Sequence, residues 1–254
     1  MLNKTGTKEW SDHSMNIQRG CEHDCRYCYA RFNAVNRFKQ CEAKHWKLPC
    51  INEAKVDQPH KKKYNGVVMY PTTHDITEAN LNQYLCVLRK LLDAGNKVLI
   101  VTKPHWSCIT VICQAYAEYQ KQITFRFTIG SANDEVLEFW EPGAPNFTER
   151  IACLQYAYEC GYKTSVSCEP YLDPYVIYTY TACKPYINDS FWIGKLNGWN
   201  SRVMLDDATD EQIAKYVEPL KAAQSDSIVR SMYRMLDGQP FIKWKDSVRK
   251  VMGI

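Results

Sequence analysis

The sequence lacks several features that would assign it to a common class. No apolar run approaches the length of a membrane span, and the polar N-terminus has no apolar h-region typical of a signal peptide. We therefore expect a cytoplasmic protein that makes no contact with a membrane. The chain also has no glycine-rich phosphate loop of the GxGxxG or Walker type, no internal repeat and no low-complexity linker. A single domain over residues 1–254 is the simplest division, with a core at about 15–200 and a C-terminal helical extension at 201–254.

Charge gives little indication of a partner. The formal net charge of +4 permits an anionic partner without indicating one. The basic run at 60–63 (His-Lys-Lys-Lys) is short, which is typical of a solvated loop, and contact with nucleic acid is the alternative interpretation.

Cysteine is abundant, with 12 residues in a chain of 254. A chain of this size without an export signal is expected in a reducing compartment, where disulfides are rare. Metal ligation and buried apolar thiols are then the expected uses of these side chains.

Strand-like and helical segments alternate along the chain, which predicts an α/β fold with parallel strands. Thr77 is a candidate cap for a leucine-rich helix that Gly95 ends, and Ile123 to Ile129 alternates apolar and polar residues at strand period. About six βα units are present. This number predicts an open, partial (β/α)6 barrel with outer helices rather than a closed eightfold barrel, and a doubly wound sheet is the rival.

Polar side chains follow the predicted strands where each one ends. In parallel α/β barrels the chemistry takes place at this C-terminal edge. The residues concerned are Thr72, Thr73, His74, Asp75, Lys103, Ser131, Glu169, Lys195 and Asn197.

Three cysteines, Cys21, Cys25 and Cys28, form a C-x3-C-x2-C motif. Thiolates are soft ligands that suit iron–sulfur clusters, zinc and copper(I). A structural zinc site would need a fourth ligand, for which His23 is the candidate. Three cysteines on one loop can instead hold three irons of a [4Fe–4S] cubane and leave the fourth iron open to a small molecule.

The motif closely resembles that of the radical S-adenosylmethionine (SAM) enzymes, and later stretches are similar to the spore photoproduct lyase-like branch of that superfamily. The similarity extends from residue 16 to about 199. It rests on residues 16–21 (NIQRGC), 98–103 (VLIVTK), 125–129 (FRFTI), 141–145 (EPGAP) with Arg150, 161–166 (GYKTSV) and 192–197 (WIGKLN).

The resemblance implies an activity and its cofactors. A [4Fe–4S] cluster on Cys21, Cys25 and Cys28 would reductively cleave SAM to methionine and a 5′-deoxyadenosyl radical, which abstracts hydrogen from a substrate. A flavodoxin or ferredoxin would supply the electron.

The resemblance also implies which residues contact SAM. Tyr27 would pack near the adenine, and Lys103 would bind the carboxylate. Glu141 and Arg150 match a recurrent pairing that we interpret as a structural salt bridge. Further polar contacts to SAM are implied for Thr73, His74, Asp75, Thr128 and Ser131.

One position departs from the pattern of the branch. The photoproduct lyase carries a cysteine at the end of its second strand that donates a hydrogen atom to the product radical, and Thr72 occupies that position here. A threonine O–H bond is too strong for this donation. Repair of spore photoproduct is therefore not expected, and rearrangement or re-abstraction of hydrogen from 5′-deoxyadenosine fits better.

The nine other cysteines form no second C-x-x-C motif, and we interpret them as buried thiols. Cys41 and Cys50 flank an irregular insertion and are candidate metal ligands, but the sequence offers no two further ligands nearby.

The substrate is the least determined feature. Arg126, Glu169 and Lys195 are the substrate candidates, and an Arg126 that points into the barrel would suit a phosphate or carboxylate, whereas one that points outward would be covered by helices. By analogy within the branch, the first hypothesis is a lyase or isomerase that modifies DNA or a thymine-derived nucleotide. The second is modification of a peptide or small metabolite, and the third is a non-catalytic iron–sulfur or zinc protein.

Overall fold

Seven parallel strands form the main sheet of the protein, whose computed structural model describes residues 5–254. The first four residues of the predicted domain lie outside this range. The strand order is β1-β4-β5-β6-β7-β8-β9, and β2 pairs with β3 in a separate antiparallel ladder. The strands are β1 His13–Ser14, β2 Gln18–Arg19, β3 Cys50–Ile51, β4 Val67–Met69, β5 Lys97–Thr102, β6 Ile123–Thr128, β7 Lys163–Cys168, β8 Ser190–Ile193 and β9 Ile242–Trp244.

Helices connect the strands and cover the outer side of the sheet. They are α1 Tyr29–Arg31, α2 Glu53–Asp57, α3 Leu81–Asp93, α4 Trp106–Ala115, α5 Asp134–Trp140, α6 Phe147–Glu159, α7 Val176–Cys183, α8 Trp199–Arg202, α9 Asp210–Gln212, α10 Glu218–Ala223, α11 Asp226–Leu236 and α12 Asp246–Met252. The predicted α/β fold with parallel strands and outer helices is confirmed, and within the described residues β1 and β9 are the first and last strands of the sheet. Among the described residues, no helix has the length and apolar character that crossing a membrane requires.

The start of α3 differs from the sequence prediction. Asn80, and not Thr77, immediately precedes the helix, and the Thr77 backbone N–H donates to the Asn80 side-chain oxygen at 3.1 Å. The Asn80 amide nitrogen donates to the Gln18 side chain and to the Asp75 carbonyl. Buried Asn80 therefore connects the start of the helix to Gln18 of β2 and to the loop at Asp75. Its amide does this with two donated hydrogen bonds and one accepted, whereas a threonine hydroxyl has only one hydrogen to donate.

The polar side of β6 lies on the face of the sheet that bears the cavity, since Arg126 is two residues from Thr128, which lines it. The Arg126 Nε donates to Ser165 Oγ at 2.8 Å, and its guanidinium lies between the rings of Trp10 and Trp192, at 4.9 and 5.4 Å from their centroids. Of the two orientations considered for Arg126, the structure shows the inward one.

The C-terminal segment contributes a strand that the sequence analysis did not predict. Strand β9 pairs in parallel with β8 and is followed by Lys245, whose Nζ is fully buried. This Nζ lies 2.7 Å from both the Gly6 carbonyl oxygen and a Glu9 carboxylate oxygen, and Arg249 lies 2.5 Å from the other Glu9 oxygen. The N-terminal segment is thus held against the last strand by buried charges.

The basic run lies at the opposite edge of the sheet from the strand C-termini. The carbonyl of Lys62 accepts a hydrogen bond from Asn96, which directly precedes β5. The run therefore sits away from the edge where the candidate site is expected.

Candidate active site

The three motif cysteines lie on a loop that follows β2. Gly20 opens this loop with a φ of +86°, and a Cβ at this position would lie 2.5 Å from the Trp46 carbonyl oxygen. The same carbonyl accepts the Cys21 backbone N–H at 2.9 Å. Glycine is required because the chain passes directly over this carbonyl in a left-handed conformation.

The segment after α5 supports the other side of this loop. The Gly143 N–H donates to the His23 carbonyl at 3.1 Å, and a Cβ on Gly143 would lie 2.3 Å from the Glu22 carbonyl oxygen. The Arg26 N–H donates to the Trp140 carbonyl at 2.9 Å. Close packing of two backbones explains why a glycine follows Glu141-Pro142.

A cavity of about 500 Å³ opens beside the cysteine loop at the C-terminal edge of the sheet. All three cysteines line it. Burial raises the pKa of each of these thiols, so the protein alone holds them protonated. Bound cationic metal would deprotonate them, because a coordinating thiol loses its proton.

Asp75 is the centre of the hydrogen-bond network beside the cysteines. One carboxylate oxygen accepts the Lys103 backbone N–H at 2.7 Å and the Thr102 hydroxyl at 2.9 Å. The other lies 2.9 Å from His23 Nδ1 and 3.5 Å from Lys103 Nζ. Burial alone would raise the pKa of Asp75, but Lys103 and His23 hold it well below its usual range.

Lys103 brings a buried cation to the cavity. Its Nζ lies 3.5 Å from Asp75, 4.0 Å from Glu141 and 5.9 Å from the centre of the Tyr27 ring. Burial would lower the pKa of Lys103, but the surrounding groups, Asp75 foremost, raise it well above its usual value. The lysine therefore stays charged and can attract a carboxylate.

The predicted salt bridge between Glu141 and Arg150 is present. Their carboxylate and guanidinium lie 2.6 Å apart, and both side chains are fully buried. The other Glu141 oxygen accepts the Tyr27 hydroxyl. The ion pair thus also positions a residue of the candidate site, which sequence reasoning did not foresee.

Two histidines extend the network toward the surface. His23 is fully buried, and its Nε2 lies 2.8 Å from His105 Nε2. His105 is partly exposed and lies 4.0 Å from Glu149. Sequence reasoning missed His105, because a single histidine after a strand has no distinguishing pattern.

Most of the predicted site residues meet in this cavity. Besides the cysteines, it is lined by Tyr27, Thr73, His74, Asp75, Lys103, Thr128, Glu169 and Lys195. Ser131 and Arg126 are not among the lining residues. Ser131 is fully buried and donates its hydroxyl to Asp173, and Arg126 is enclosed by Trp10 and Trp192.

The end of β4 holds Thr72 in place within the cavity wall. The Asn16 amide donates to the Thr72 hydroxyl at 2.6 Å and accepts the Thr72 N–H at 2.8 Å. The Tyr29 hydroxyl donates to the Thr72 carbonyl. The position expected for a hydrogen donor in the lyase is therefore filled by a threonine that lines the cavity.

Sequence reasoning missed the N-terminal wall of the cavity. Residues 5–8, Trp10 and Arg202 also line it. No motif marks these residues, and the position of residues 5–8 and Trp10 follows from the contact between the N-terminal segment and Lys245.

Glu169 forms a further part of the wall, at the end of β7. One of its carboxylate oxygens lies 3.3 Å from Lys245 Nζ. Burial raises the pKa of Glu169 to about 7, although Lys245 opposes the shift. A Cβ on Gly194 would lie 2.8 Å from Glu169 Cγ, so glycine there makes room for this side chain.

Comparison with solved structures supports the predicted fold. A cysteine-to-serine mutant of spore photoproduct lyase aligns with a TM-score of 0.59 and 15% identity, over 96% of this chain and 79% of that chain. The lyase complexed with dinucleoside spore photoproduct aligns at 0.58 and 14% identity, over 95% and 78%. The chain has a spore photoproduct lyase-like fold.

The lyase is not the only protein with this architecture. SuiB from Streptococcus suis aligns with a TM-score of 0.52 and 14% identity, over 92% of this chain and 49% of SuiB. No protein-family model and no curated protein matches the sequence. At such identities the likeness shows the fold, and activity must be argued from the site.

Proposed function

We propose that the protein is a radical SAM enzyme that holds a [4Fe–4S] cluster on Cys21, Cys25 and Cys28. The observation that carries this proposal is the cavity into which the C-x3-C-x2-C loop opens, because it lies at the C-terminal edge of a parallel sheet of spore photoproduct lyase-like fold. It places thiols, a buried lysine and a tyrosine around one volume large enough for a small-molecule ligand.

The residues present fit the cluster. The three thiols are free, they share one loop, and they are the only cysteines among the described residues that line this cavity. A cubane held by three thiolates keeps one iron open to SAM, as the resemblance of the motif implies. When bound and reduced, the cluster supplies the electron that cleaves SAM to methionine and a 5′-deoxyadenosyl radical.

The protein's own part is to bind and orient SAM and to exclude water. Lys103 Nζ is the cation placed to attract the SAM carboxylate, and Asp75 is the anion placed to attract its ammonium. Tyr27, fixed by its hydrogen bond to Glu141, offers a ring face for the adenine.

For the substrate we propose a nucleotide or DNA, acted on by a lyase or isomerase reaction. The support is the fold shared with a lyase whose structure contains dinucleoside spore photoproduct. Thr72 argues against repair of spore photoproduct itself, since this position holds a threonine in place of the hydrogen-donating cysteine. Modification of a peptide or small metabolite is the alternative, and flavodoxin or ferredoxin is the proposed electron donor.

The test is anaerobic reconstitution with iron and sulfide, reduction by dithionite, and assay of 5′-deoxyadenosine after SAM is added. We expect product from the wild type and from Cys86→Ala, which removes an exposed cysteine on α3, and none from Cys28→Ala. If the wild type carries a full complement of cluster and forms no 5′-deoxyadenosine, the proposal is contradicted. The hypothesis of a non-catalytic metal protein would then be favoured.

Stimulation of 5′-deoxyadenosine formation then separates the substrate classes. We expect thymidine oligonucleotides to stimulate it and unrelated peptides not to. The opposite pattern would favour peptide modification.

A further inference from the structure

Three side chains of different chemistry meet at one point beside the cysteine loop. The ligand atoms of Cys21, His23 and Asp75 all lie within 4.8 Å of one another, and no other group of three such ligands is this close within residues 5–254. His23 Nδ1 lies 2.9 Å and Cys21 Sγ lies 3.8 Å from the same Asp75 oxygen. Two of these residues, His23 and Asp75, are not part of the three-cysteine motif.

These separations resemble those around a single tetrahedral metal ion. Bond lengths of about 2.3 Å to sulfur and about 2.0 Å to nitrogen and oxygen give ligand separations of about 3.5 Å for S···O and about 3.3 Å for N···O. The observed values of 3.8 and 2.9 Å differ from these by only a few tenths of an ångström. The third pair, Cys21 and His23, has its ligand atoms within 4.8 Å, so coordination requires side-chain rotations that bring these two together.

The groups behind the ligands are arranged as metal sites require. A histidine that binds metal through Nδ1 needs its proton on Nε2, and His105 Nε2 stands 2.8 Å away to accept that proton. The second Asp75 oxygen is held by Thr102 and by the Lys103 backbone, so the carboxylate is already oriented.

We propose that, without its cluster, the protein binds one divalent transition-metal ion such as Zn²⁺, Fe²⁺ or Co²⁺ through Cys21, His23 and Asp75. A set of one thiolate, one imidazole and one carboxylate suits ions of borderline softness. The fourth position opens to the cavity that Cys21 and Asp75 line. Lys103 Nζ, 3.5 Å from Asp75, limits the affinity because it repels the ion.

The consequence is competition for Cys21. When the Cys21 thiolate binds a single ion together with His23, it cannot at the same time be a ligand of the cluster on Cys21, Cys25 and Cys28. The two forms are therefore mutually exclusive, and a bound zinc ion holds back cluster assembly.

The test is anaerobic titration of the full-length, cluster-free protein with Co²⁺, followed through the thiolate charge-transfer and d–d absorption bands. We expect one equivalent bound with a tetrahedral spectrum in the wild type, in Cys25→Ala and in Cys28→Ala. We expect affinity to fall at least tenfold in His23→Gln and in Asp75→Asn.

Binding that survives His23→Gln but is lost in Cys25→Ala and Cys28→Ala would overturn the proposal and place the ion on the three thiols. So would an absence of binding to the wild type. Circular dichroism of the metal-free variants shows whether each is folded. We expect His105→Ala to lower the affinity severalfold, because it removes the acceptor 2.8 Å from His23 Nε2 that fixes the His23 tautomer.

A second measurement follows cluster assembly directly. Zinc added before iron and sulfide should slow the growth of cluster absorbance in the wild type and not in His23→Gln. Neither readout depends on SAM cleavage, so this proposal and the proposed enzyme activity can fail separately.

Discussion

Lys103 is the residue whose charge the candidate site depends on most directly. Its Nζ is buried beside Asp75 and lines the cavity. We expect Lys103→Met to weaken SAM binding by at least about tenfold, roughly 1.4 kcal/mol, because the carboxylate loses a charged partner. Equilibrium binding of SAM to the reconstituted protein measures this.

Lys97→Met is the matched control, since Lys97 is exposed at the other end of the same strand. Equal SAM affinity in the two variants would show that Lys103 does not bind the SAM carboxylate.

Glu169 gives the site a pH dependence that stability measurements can detect. Its pKa is about 7 in the fold against a reference value of 4.5, because burial disfavours the carboxylate. Between these values the unfolded chain gives up a proton that the folded chain retains, so rising pH favours unfolding. Glu169→Gln removes this effect.

Thermal unfolding at about pH 5 and about pH 8 tests the direction of this effect. We expect the midpoint of Glu169→Gln minus that of the wild type to increase from the lower to the higher pH. A difference that stays constant would show that the pKa of Glu169 is the same in the folded and unfolded chain, and a decrease would show that folding lowers it.

At the residue scale, the sequence predicted which residue types form the site better than it predicted which side chains contact the cavity. The cysteine spacing and Lys103 at a strand end were readable because short patterns mark them, and both lie on the cavity wall. Ser131 follows a strand in the same way, yet its hydroxyl bonds to Asp173 in the interior. Whether a strand-end side chain faces a cavity depends on the neighbouring loop, which no local pattern specifies.

The loop that carries the cysteines begins at a glycine that cannot accept a side chain without a steric clash. We expect Gly20→Ala to lower both thermal stability and iron content, because its Cβ would lie 2.5 Å from the Trp46 carbonyl. Gly253 has a comparable φ of +75° and nothing within 4 Å of the added Cβ, so Gly253→Ala isolates the cost of the conformation itself. Equal losses in the two variants would contradict the steric argument.

Helix α6 is attached to the site through a buried ion pair. Arg150→Met leaves the fully buried Glu141 without its guanidinium, and breaking such a pair costs about 3–5 kcal/mol. We expect a destabilisation of this order in urea unfolding. Arg89→Met, which breaks a half-exposed pair with Asp93, should cost much less, because solvent screens that pair.

At the scale of helices and strands, the sequence predicted some elements and missed others. The leucine spacing of α3 and the Gly95 stop were readable, and the helix does bury Leu88, Leu91 and Leu92. Strand β9 was not readable, because three residues cannot establish a period of two and its pairing with β8 is decided by tertiary contacts. The Thr77 prediction was wrong for a similar reason, since Asn80 is selected by partners distant in sequence.

At the scale of the whole molecule, one carboxylate joins the two ends of the described chain. Glu9 is almost fully buried between Lys245 and Arg249. We expect Glu9→Ala to destabilise the fold by about 3 kcal/mol, because it leaves buried cations with fewer partners. Thermal unfolding should show a midpoint lowered by several degrees, and Glu42→Ala, at an exposed pair with Lys44, should show almost no change.

The same junction determines when the cavity can form during synthesis. Glu9 and Arg249 are 240 residues apart, and the N-terminal wall of the cavity depends on partners that leave the ribosome long after the cysteine loop. Until then Glu9 has neither of its cations, and the contact must be made across a long stretch of nascent chain. The cysteine loop is therefore exposed to metal ions in solution while the later strands of the sheet are still being translated. The thiols are therefore synthesised well before the wall that shields them can take its final position.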